Sequence, residues 1–506
     1  MDNIQESALP LLAKGISKAA SLVGSTMGPK GKNILLEHKQ MPFHQLTNDG
    51  ATILKAMDLT DPIEKIGLGF LKEAAERSNG NSGDGSSTTT VLLNAILEEG
   101  IKTGVSTLEI KNSLDECLPI IEASIHAQTR QITVGDIPAV ARIAGEDEEL
   151  ARLLGEIYTT IGKEGIVHLE GSGTFESSYS LIEGVRFVDT GYLSPYMATD
   201  KNKAVYQKPT ILVTKNKISN VKDIDPILQA LIARGDKHLV IFTDDMDSGV
   251  ARILIELQKN PQRSIDILII KAPTLWKSYV FEDFAKITGA TIIEDASGTS
   301  LGNKFRLDWL GTCDTLIVDK EETTVIGIAD ISEHIKDLTE EGSTDSKRRL
   351  SWLTTKTAIL KIGAKSETEL SYKLLKSEDA IFSSRLALNS GVVAGGGSAL
   401  LCASRAMPDT TGGNILKSAL EVPFRKIMEN SGITEGEVSF DGIRGIDAST
   451  GTAVDMFGAG IVDAASVVLN AVKNSLGIAS TLLTTSAVIL LPEEKQAPQA
   501  SPFPFN

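Results

Sequence analysis

Residues 83–90 constrain this chain most, because two glycines flank a carboxylate directly before a row of hydroxyls. The glycines let backbone N–H groups approach an anion, and an apolar helix predicted from Val91 adds the positive end of its dipole. Asp84 can hold Mg²⁺, while Ser87 and Thr88 can donate hydrogen bonds to phosphate oxygens. The run predicts a phosphate and metal site, and its alternative is a plain turn with a helix N-cap.

Three more glycine turns accompany this run, at residues 26–33, 47–52 and 392–399. The first lies between a predicted amphipathic helix and a predicted strand, and the last leads into a helix. In the second, Asp49 precedes Gly50, a pair that by itself favours a β-hairpin. Each turn is a weak signal alone, but four turns, two of them with carboxylates, require a joint explanation.

Composition limits the classes of function that the chain can serve. A net charge of -16 and a pI near 5.0 argue against a nucleic-acid partner. The three cysteines lie far apart and no histidines pair at ligand spacing, which argues against a zinc site and suits a reducing compartment. The start of the sequence lacks signal-peptide features, and the apolar run 482–491 is too short to cross a membrane. We therefore expect a soluble, cytoplasmic or equivalent intracellular protein without membrane partners.

The pattern along the 506 residues predicts two or three domains. Helical patterns dominate from 9 to 126 and from 399 to 479. Between them, short β-rich runs at 209–213, 238–242 and 265–270 alternate with helical stretches. This alternation predicts an α/β domain with a largely parallel sheet, which a nucleotide-binding enzyme domain would also show. No G-x-G-x-x-G motif follows these runs, so a separate active site in the middle is not expected.

The turns, in their order and spacing, resemble those of the group I chaperonins, the GroEL and mitochondrial Hsp60 family of ring-forming folding machines. Residues 191–196, 271–273, 378–380 and 391–397 also match this family closely. The resemblance runs from about residue 11 to residue 492. Group II chaperonins share the glycine turns that bind ATP, but the sequence motif at residues 191–196 is typical of group I. The chain thus resembles a divergent group I chaperonin.

The resemblance implies a multidomain fold of the α+β and α/β classes. A mainly helical equatorial domain and a small intermediate domain would each be built from two segments, around an α/β apical domain. The implied bounds are 1–130 and 392–492 for the equatorial domain, 131–183 and 364–391 for the intermediate domain, 184–363 for the apical domain and 493–506 for a disordered tail.

The resemblance also implies an ATPase site with ATP and Mg²⁺, and optionally K⁺, as cofactors. Asp84 would hold the metal, Asp379 would position the water that attacks the γ-phosphate, and Asp49 would support this catalysis. On sequence alone, an exposed helix face explains Asp379 better. The implied nucleotide-binding residues are Thr26, Gly28, Pro29, Gly50, Gly83, Gly85, Ser86, Ser87, Thr88, Gly396, Asp447 and Asp463.

Two of these implied nucleotide-binding residues, Asp463 and Asp447, have a second explanation or differ from the family. Asp463 would reach the ribose hydroxyls, but a helix N-cap explains it equally well. Asp447 stands where the family usually has asparagine near the adenine, which puts the base contact in question.

The apical domain would capture non-native polypeptides and a GroES-type lid, and that role requires an exposed apolar surface. Core packing explains each of the matching residues at least as well when they are taken singly. The loop 274–279 departs from the family, with Trp276 and Tyr279 where glycine and basic residues are usual. The implied binding residues are Tyr192, Tyr196, Met197, Ala251, Leu254, Ile255, Phe281 and Phe284.

The predicted function is that of an ATP-dependent chaperone and chaperonin ATPase. A homo-oligomeric ring, seven-membered by resemblance, would bind non-native polypeptides and enclose them in an ATP-driven cycle. The alternative is a chaperonin-derived holdase without a productive lid-dependent cycle. We retain this alternative because residues 355–356 replace the paired glycines of the family's upper hinge. A monomeric kinase or ATPase would explain the phosphate turns but not residues 191–196.

Overall fold

The computed structural model describes residues 4–6, 8–37, 44–163, 165–199, 203–258, 265–302, 305–354, 356–433 and 443–490. The predicted tail 493–506 and the hinge residue Thr355 lie outside this part of the chain. The chain divides into two compact units. The terminal unit comprises 1–163, 169–178 and 360–506, and the central unit comprises 164–168 and 179–359.

Helices dominate the terminal unit, as the helical patterns at both ends predict. No helix in the described ranges combines the length and the apolar character that a bilayer span needs. The α-helices of the described ranges are α1 Leu9–Gly24, α2 Gly50–Ala56, α3 Pro62–Ser82, α4 Ser86–Lys102, α5 Thr107–Gln128, α6 Ile137–Gly145, α7 Glu148–Ile161, α8 Asp225–Arg234, α9 Ser248–Gln258, α10 Lys277–Thr288, α11 Ser332–Glu341, α12 Thr344–Leu353, α13 Glu367–Ser390, α14 Ser398–Ser404, α15 Thr411–Ser431 and α16 Ala465–Leu483.

Strands are short at the chain ends and longer in the middle. The strands are β1 Ile4–Glu6, β2 Ile34–Leu36, β3 Gln45–Thr47, β4 Ile166–Gly171, β5 Ser178–Val188, β6 Ala204–Gln207, β7 Thr210–Thr214, β8 His238–Thr243, β9 Asp266–Lys271, β10 Ile292–Ile293, β11 Gly311–Thr312, β12 Thr315–Val318, β13 Glu322–Ile326, β14 Lys356–Ile362, β15 Val392–Ala394, β16 Arg444–Asp447, β17 Thr452–Asp455, β18 Val462–Ala464 and β19 Ala487–Ile489. The predicted helix at the first glycine turn and the strand after it are confirmed as α1 and β2.

The core of the terminal unit depends on close packing of α1 against α3. The apolar face of α1 is buried at helical spacing, as its amphipathic sequence predicts. A Cβ atom added at Gly15 would overlap the carbonyl group of Glu64 in α3, and one at Gly67 would overlap that of Leu12 in α1. The two backbones therefore meet directly. This contact fixes α3, whose C-terminus begins the turn around Asp84.

The central unit contains the parallel sheet that the sequence predicts. Strands β10, β7, β8 and β9 lie in this order with parallel pairing, and β11 pairs antiparallel with β7. Phe242 of β8 stacks on Phe284 with ring centroids 4.4 Å apart and meets Phe281 edge-on at 4.9 Å. Helix α10 thus packs on the sheet through aromatic side chains.

A second sheet, with the order β4-β14-β5-β13-β12-β6, has most of its residues in the central unit. The pairings of β5 with β13, of β13 with β12 and of β12 with β6 are antiparallel. The sequence did not predict this sheet. Apart from the hairpin of β12 and β13, its paired strands are far apart in the sequence, so the pattern of neighbouring residues carries little signal for their pairing.

Candidate functional site

The turn between α3 and α4 consists of one carboxylate between two left-handed glycines. Gly83 ends α3 with φ 63°, and Gly85 begins α4 with φ 86°, a conformation that favours glycine. Gly85, the N-cap of α4, has no side chain to cap the helix, so no capping hydrogen bond is present there among the described residues. Its first turn carries the half-buried Ser87 and Thr88. Asp84 therefore lies directly before backbone N–H groups that can bind an anion.

Helix α13 covers this turn and holds Asp84. A Cβ atom at Gly83 would overlap the ring of Phe382, so only glycine lets α13 approach this closely. One carboxylate oxygen of Asp84 accepts the N–H of Gly85 at 2.5 Å, and the other accepts the Ser383 hydroxyl at 3.0 Å. Sequence reasoning missed Phe382 and Ser383, because a phenylalanine or serine on a helix gives no local signal of such a contact.

Asp49 caps α2 beside the start of α4. Its carboxylate accepts the N–H of Thr52 at 2.8 Å and the hydroxyl of Ser86 at 3.2 Å. The hairpin alternative for this turn is therefore wrong, because Asp49 and Gly50 begin a helix. A Cβ atom at Gly50 would lie only 2.7 Å from the hydroxyl oxygen of Ser87. Glycine thus lets the first turns of α2 and α4 meet at one place.

The aspartates around this turn perturb one another. Burial, and then the charges of Asp84 and Asp49, raise the pKa of Asp379 well above its ordinary value, against the opposing charge of Lys376. Burial also raises the pKa of Asp84. Burial and the charge of Asp84 raise the pKa of Asp463 to about 7. The exposed-face alternative for Asp379 is wrong, since its side chain is half-buried and its carboxylate interacts with the charges of Asp84 and Asp49.

Lys376 faces this acidic group from one turn earlier on α13. Its ammonium group lies 2.8 Å from Glu146, which also accepts the side-chain amide of Asn48 at 3.2 Å. Burial lowers the pKa of Lys376, but the charges of Glu146 and Asp379 outweigh it, so the pKa is raised and the lysine stays charged. Glu146 adopts a left-handed φ of 54°, which is uncommon for a residue with a side chain. No sequence pattern indicated that Lys376, Glu146 and Asn48 lie together.

Asp463 reaches the site through a short strand pair. β18 pairs with β15, which places Asp463 opposite Val393. Its carboxylate accepts the backbone N–H of Gly396, and a Cβ atom at Gly395 would lie 3.1 Å from it. The N-cap alternative is wrong, since Ala464 is the N-cap of α16. The fourth glycine turn and Asp463 are therefore one structural unit.

The first glycine turn is held by α15. The hydroxyl of the buried Thr26 donates to the carbonyl of Val23 at 2.7 Å. Gly28 has φ 83°, and a Cβ atom there would lie 2.7 Å from Ile427 of α15. Pro29 is exposed. Gly28 therefore lets this turn pack against α15, and Thr26 serves the end of α1. The close approach of the Gly28 backbone to a nucleotide stays a prediction.

Asp447 lies at the end of β16 and caps the hairpin to β17. Its carboxylate accepts the N–H of Ser449 at 2.8 Å. The preceding residue, Ile446, shares a small hydrophobic cluster with Met27 and Val91. The hairpin, the first glycine turn and α4 therefore meet around this cluster. Any contact of Asp447 with the base stays a prediction.

The residues present fit a bound cation and phosphate. Asn48 and Ser398 each leave a buried side-chain oxygen without a hydrogen-bond partner in the described part of the chain, beside Asp49 and the glycine turn respectively. Within the same residues, no three acidic, histidine or cysteine side chains converge tightly enough to hold a metal alone. Mg²⁺ usually takes one or two carboxylates and completes its shell with phosphate oxygens and water. Asp84 suits that arrangement.

The predicted polypeptide-binding residues differ in exposure. Tyr196 is 65 % exposed, but the prediction of an open surface is wrong for four residues, whose side chains are 0–1 % exposed in the core of the central unit. These buried residues are Met197, Leu254, Phe281 and Phe284. The half-buried residues are Tyr192, Ala251 and Ile255. On α9, the exposed apolar side chains are instead Ile253 and Leu257, at 48 % and 46 %.

Comparison with known proteins agrees with this arrangement. A model of the TCP-1/cpn60 chaperonin family matches residues 19–492. The chain belongs to this family. Members of the family are ATPases and molecular chaperones, so this chaperonin is assigned to the chaperones. The predicted resemblance to chaperonins and the multidomain chaperonin fold are confirmed, whereas the narrower assignment to group I stays a prediction.

Two solved structures share the fold of this chaperonin. Both are crystal structures of the chaperonin gp146 from bacteriophage EL 2 (Pseudomonas aeruginosa) in the presence of ATP-BeFx. Crystal form II matches with a TM-score of 0.71 at 17% sequence identity, over 97% of this chain and 99% of that chain. Crystal form I matches with a TM-score of 0.66 at 18% identity over the same shares. At this identity the likeness establishes the fold.

Proposed function

We propose that this chaperonin hydrolyses Mg-ATP in the terminal unit and couples the reaction to the binding and release of non-native polypeptides. The observation that carries the proposal is the position of Asp84. Its carboxylate lies between two left-handed glycines at an uncapped helix N-terminus, against the helix that carries Asp379. The presence of ATP-BeFx with the phage chaperonin supports nucleotide as the ligand.

The residues of this turn would have separate roles in phosphoryl transfer. The N–H groups at the start of α4 and the hydroxyls of Ser87 and Thr88 would donate to phosphate oxygens. Asp84 would hold Mg²⁺, which when bound neutralises phosphate charge. Asp49 orients Ser86 and the first turn of α2 beside them. These groups keep the phosphates in place.

Asp379 would orient the attacking water and accept its proton. Its carboxylate binds a proton more strongly than an ordinary aspartate, because burial and the neighbouring aspartates raise its pKa. A raised pKa suits a general base, whose strength grows with its affinity for the proton. Lys376 limits this shift by its positive charge. Asp463 and Gly396 would contact the nucleoside end of the ligand.

The test compares Asp379→Asn with the wild-type protein. We expect turnover of Mg-ATP to fall by a factor on the order of 10²–10⁴, because the variant lacks the base. Nucleotide affinity, measured with a fluorescent ATP analogue, should change little. Glu378→Gln on the same helix is the matched control and should keep its turnover. Equal turnover in wild type and Asp379→Asn would refute the assignment.

We propose that the central unit captures non-native polypeptides through exposed apolar side chains of α9 and of the neighbouring turn 195–197. Helix α9 lies beside that turn. Ile253 and Leu257 are one helical turn apart and so form an exposed stripe, with Tyr196 exposed on the turn. Exposed apolar groups of this size mark interaction surfaces.

Capture can be measured as suppression of aggregation of a chemically denatured protein. Ile253→Ser with Leu257→Ser should reduce suppression several-fold, since each change removes an apolar contact. Ile232→Ser, at an equally exposed position of α8, is the control and should not. Equal suppression by both variants would exclude this surface.

We propose a seven-membered ring that accepts a GroES-type lid, with K⁺ as a further cofactor. Negative-stain images and sedimentation of the full chain test the ring, and exchange of K⁺ for Na⁺ during turnover tests the ion. Assembled rings that suppress aggregation without hydrolysing ATP would favour the holdase alternative. A monomer that hydrolyses ATP would refute the assembly.

A further inference from the structure

Helix α13 presents one polar face to the turn at Asp84. Lys376, Asp379 and Ser383 are spaced by three and four residues, so they lie on one side of the helix. Lys376 and Asp379 act on Asp84 through their charges. Ser383 acts through a direct hydrogen bond, although 299 residues separate it from Asp84 in the chain. These contacts all lie inside the terminal unit.

The hydrogen bond fixes the orientation of the Asp84 carboxylate. Ser383 is 3 % exposed, so water competes little for its hydroxyl. It donates to one carboxylate oxygen of Asp84, while the N–H of Gly85 donates to the other. An ionised carboxylate has about four lone-pair sites, so each oxygen keeps a free site after accepting one bond. Two donors therefore fix the plane of the carboxylate and leave acceptor capacity for a cation.

We propose that Ser383 is a positioning residue for the divalent cation, orienting Asp84 as a ligand and tying cation binding to the docking of α13. This inference rests on the proposed Mg-ATP site. Without the Ser383 hydroxyl, Asp84 keeps one donor and can rotate. Cation binding then has to order the carboxylate. Asp379 lies on the same helix. A looser contact between α13 and the turn at Asp84 would therefore also place Asp379, the proposed base, less accurately.

Ser384 provides an internal control. It is adjacent to Ser383 on α13 and 0 % exposed, yet its hydroxyl has no hydrogen-bond partner in the described ranges. Removal of this hydroxyl changes a buried serine on the same helix without touching Asp84. Differences between Ser383→Ala and Ser384→Ala therefore report the contact with Asp84 rather than the general effect of a buried substitution.

The experiment measures binding of a fluorescent ATP analogue by the full chain during a Mg²⁺ titration, and again in EDTA. For Ser383→Ala we expect the half-saturating Mg²⁺ concentration to rise on the order of tenfold. This is the change in affinity expected when one hydrogen bond to a charged group is lost. Affinity in EDTA should change less than about twofold. Ser384→Ala should match the wild type in both titrations, and Ser383→Thr should restore the wild-type Mg²⁺ dependence because it keeps the hydroxyl.

Ser383→Cys keeps the shape of serine but replaces its hydroxyl by a slightly larger and weaker donor, so it tests the same contact if the alanine variant does not fold. It should shift the Mg²⁺ dependence in the same direction as alanine. An unchanged Mg²⁺ dependence in Ser383→Ala or Ser383→Cys would refute the inference, as would an equal loss of affinity with Mg²⁺ and in EDTA. A wild-type protein that binds no nucleotide would instead refute the proposed function.

Discussion

Asp463→Asn should stabilise the nucleotide-free protein at neutral pH and leave its stability unchanged near pH 4. The carboxylate is partly buried near Asp84, and its pKa is raised from 3.8 to about 7. The folded protein therefore holds a proton that the unfolded chain releases above about pH 4. Since the folded state binds more protons in this window, the free energy of unfolding decreases as the pH rises from about 4 to 7.

The size of the effect follows from the shift. A rise from 3.8 to about 7 is about 3 pH units, and at ~1.4 kcal/mol per unit it costs at most ~4 kcal/mol above pH 7. Because the side chain is partly exposed, screening by water reduces this cost, and we expect roughly 2 kcal/mol. Asparagine can still accept the N–H of Gly396 but carries no charge. Its gain over wild type should grow across this pH range.

Urea unfolding followed by circular dichroism at pH values from 4.5 to 8 measures the difference. Asp447→Asn is a control in which loss of the charge should change the stability in the opposite direction. Burial raises the pKa of Asp447, but hydrogen bonds from Ser449 and Thr450 outweigh it and lower the pKa. Its charged form therefore stabilises the fold above the unfolded pKa, so this variant should lose stability at neutral pH only. A pH-independent difference for Asp463→Asn, or a loss of stability at pH 8, would refute the reasoning.

Two further predictions concern the cores of the two units, and urea midpoints check both. Gly15→Ala should destabilise the protein by about 3 kcal/mol, because the new methyl group overlaps the backbone of α3. Gly69→Ala, with open space around it, should instead gain about 0.5–1 kcal/mol of helix propensity. Arg349→Met should cost about 3 kcal/mol, because the fully buried Asp283 loses its arginine and keeps only His334 and Trp352 as partners among the described residues. Arg348→Met, at an exposed position, should change stability by less than about 1 kcal/mol, and equal losses in both arginine variants would contradict the ion-pair argument.

Local sequence patterns were sufficient for the elements that their own residues stabilise. The apolar spacing of α1 and the glycines at 83 and 85 act within a few residues, so their structure follows from neighbours in the chain. The Phe281 and Phe284 positions show the limit. Apolar spacing predicts that one face of α10 is covered, but whether the sheet or a partner covers it depends on tertiary packing, and here the sheet does.

The contacts made by α13 show a second limit. The bond from Ser383 to Asp84 and the ion pair from Lys376 to Glu146 join segments 299 and 230 residues apart. A serine or lysine in a helix is equally compatible with solvent, so nothing local distinguishes these residues from surface ones. Asp49 and Asp84 could be predicted because glycine turns accompany them, whereas Asp379 was predicted only through the resemblance to the chaperonin family. Ser383 and Lys376 could not, because their roles come from the packing of one helix on another.

The four aspartates explain why the site should respond as a unit. Asp49 and Asp84 come from the first part of the chain, and Asp379 and Asp463 from the last, so folding of the terminal unit brings like charges together. We expect this repulsion to weaken the docking of α13 on the turn at Asp84. A cation held by Asp84 would reduce this repulsion, so cation binding and helix docking would favour each other by the same free energy. The helix that carries Asp379 should therefore be held most firmly when the site is loaded.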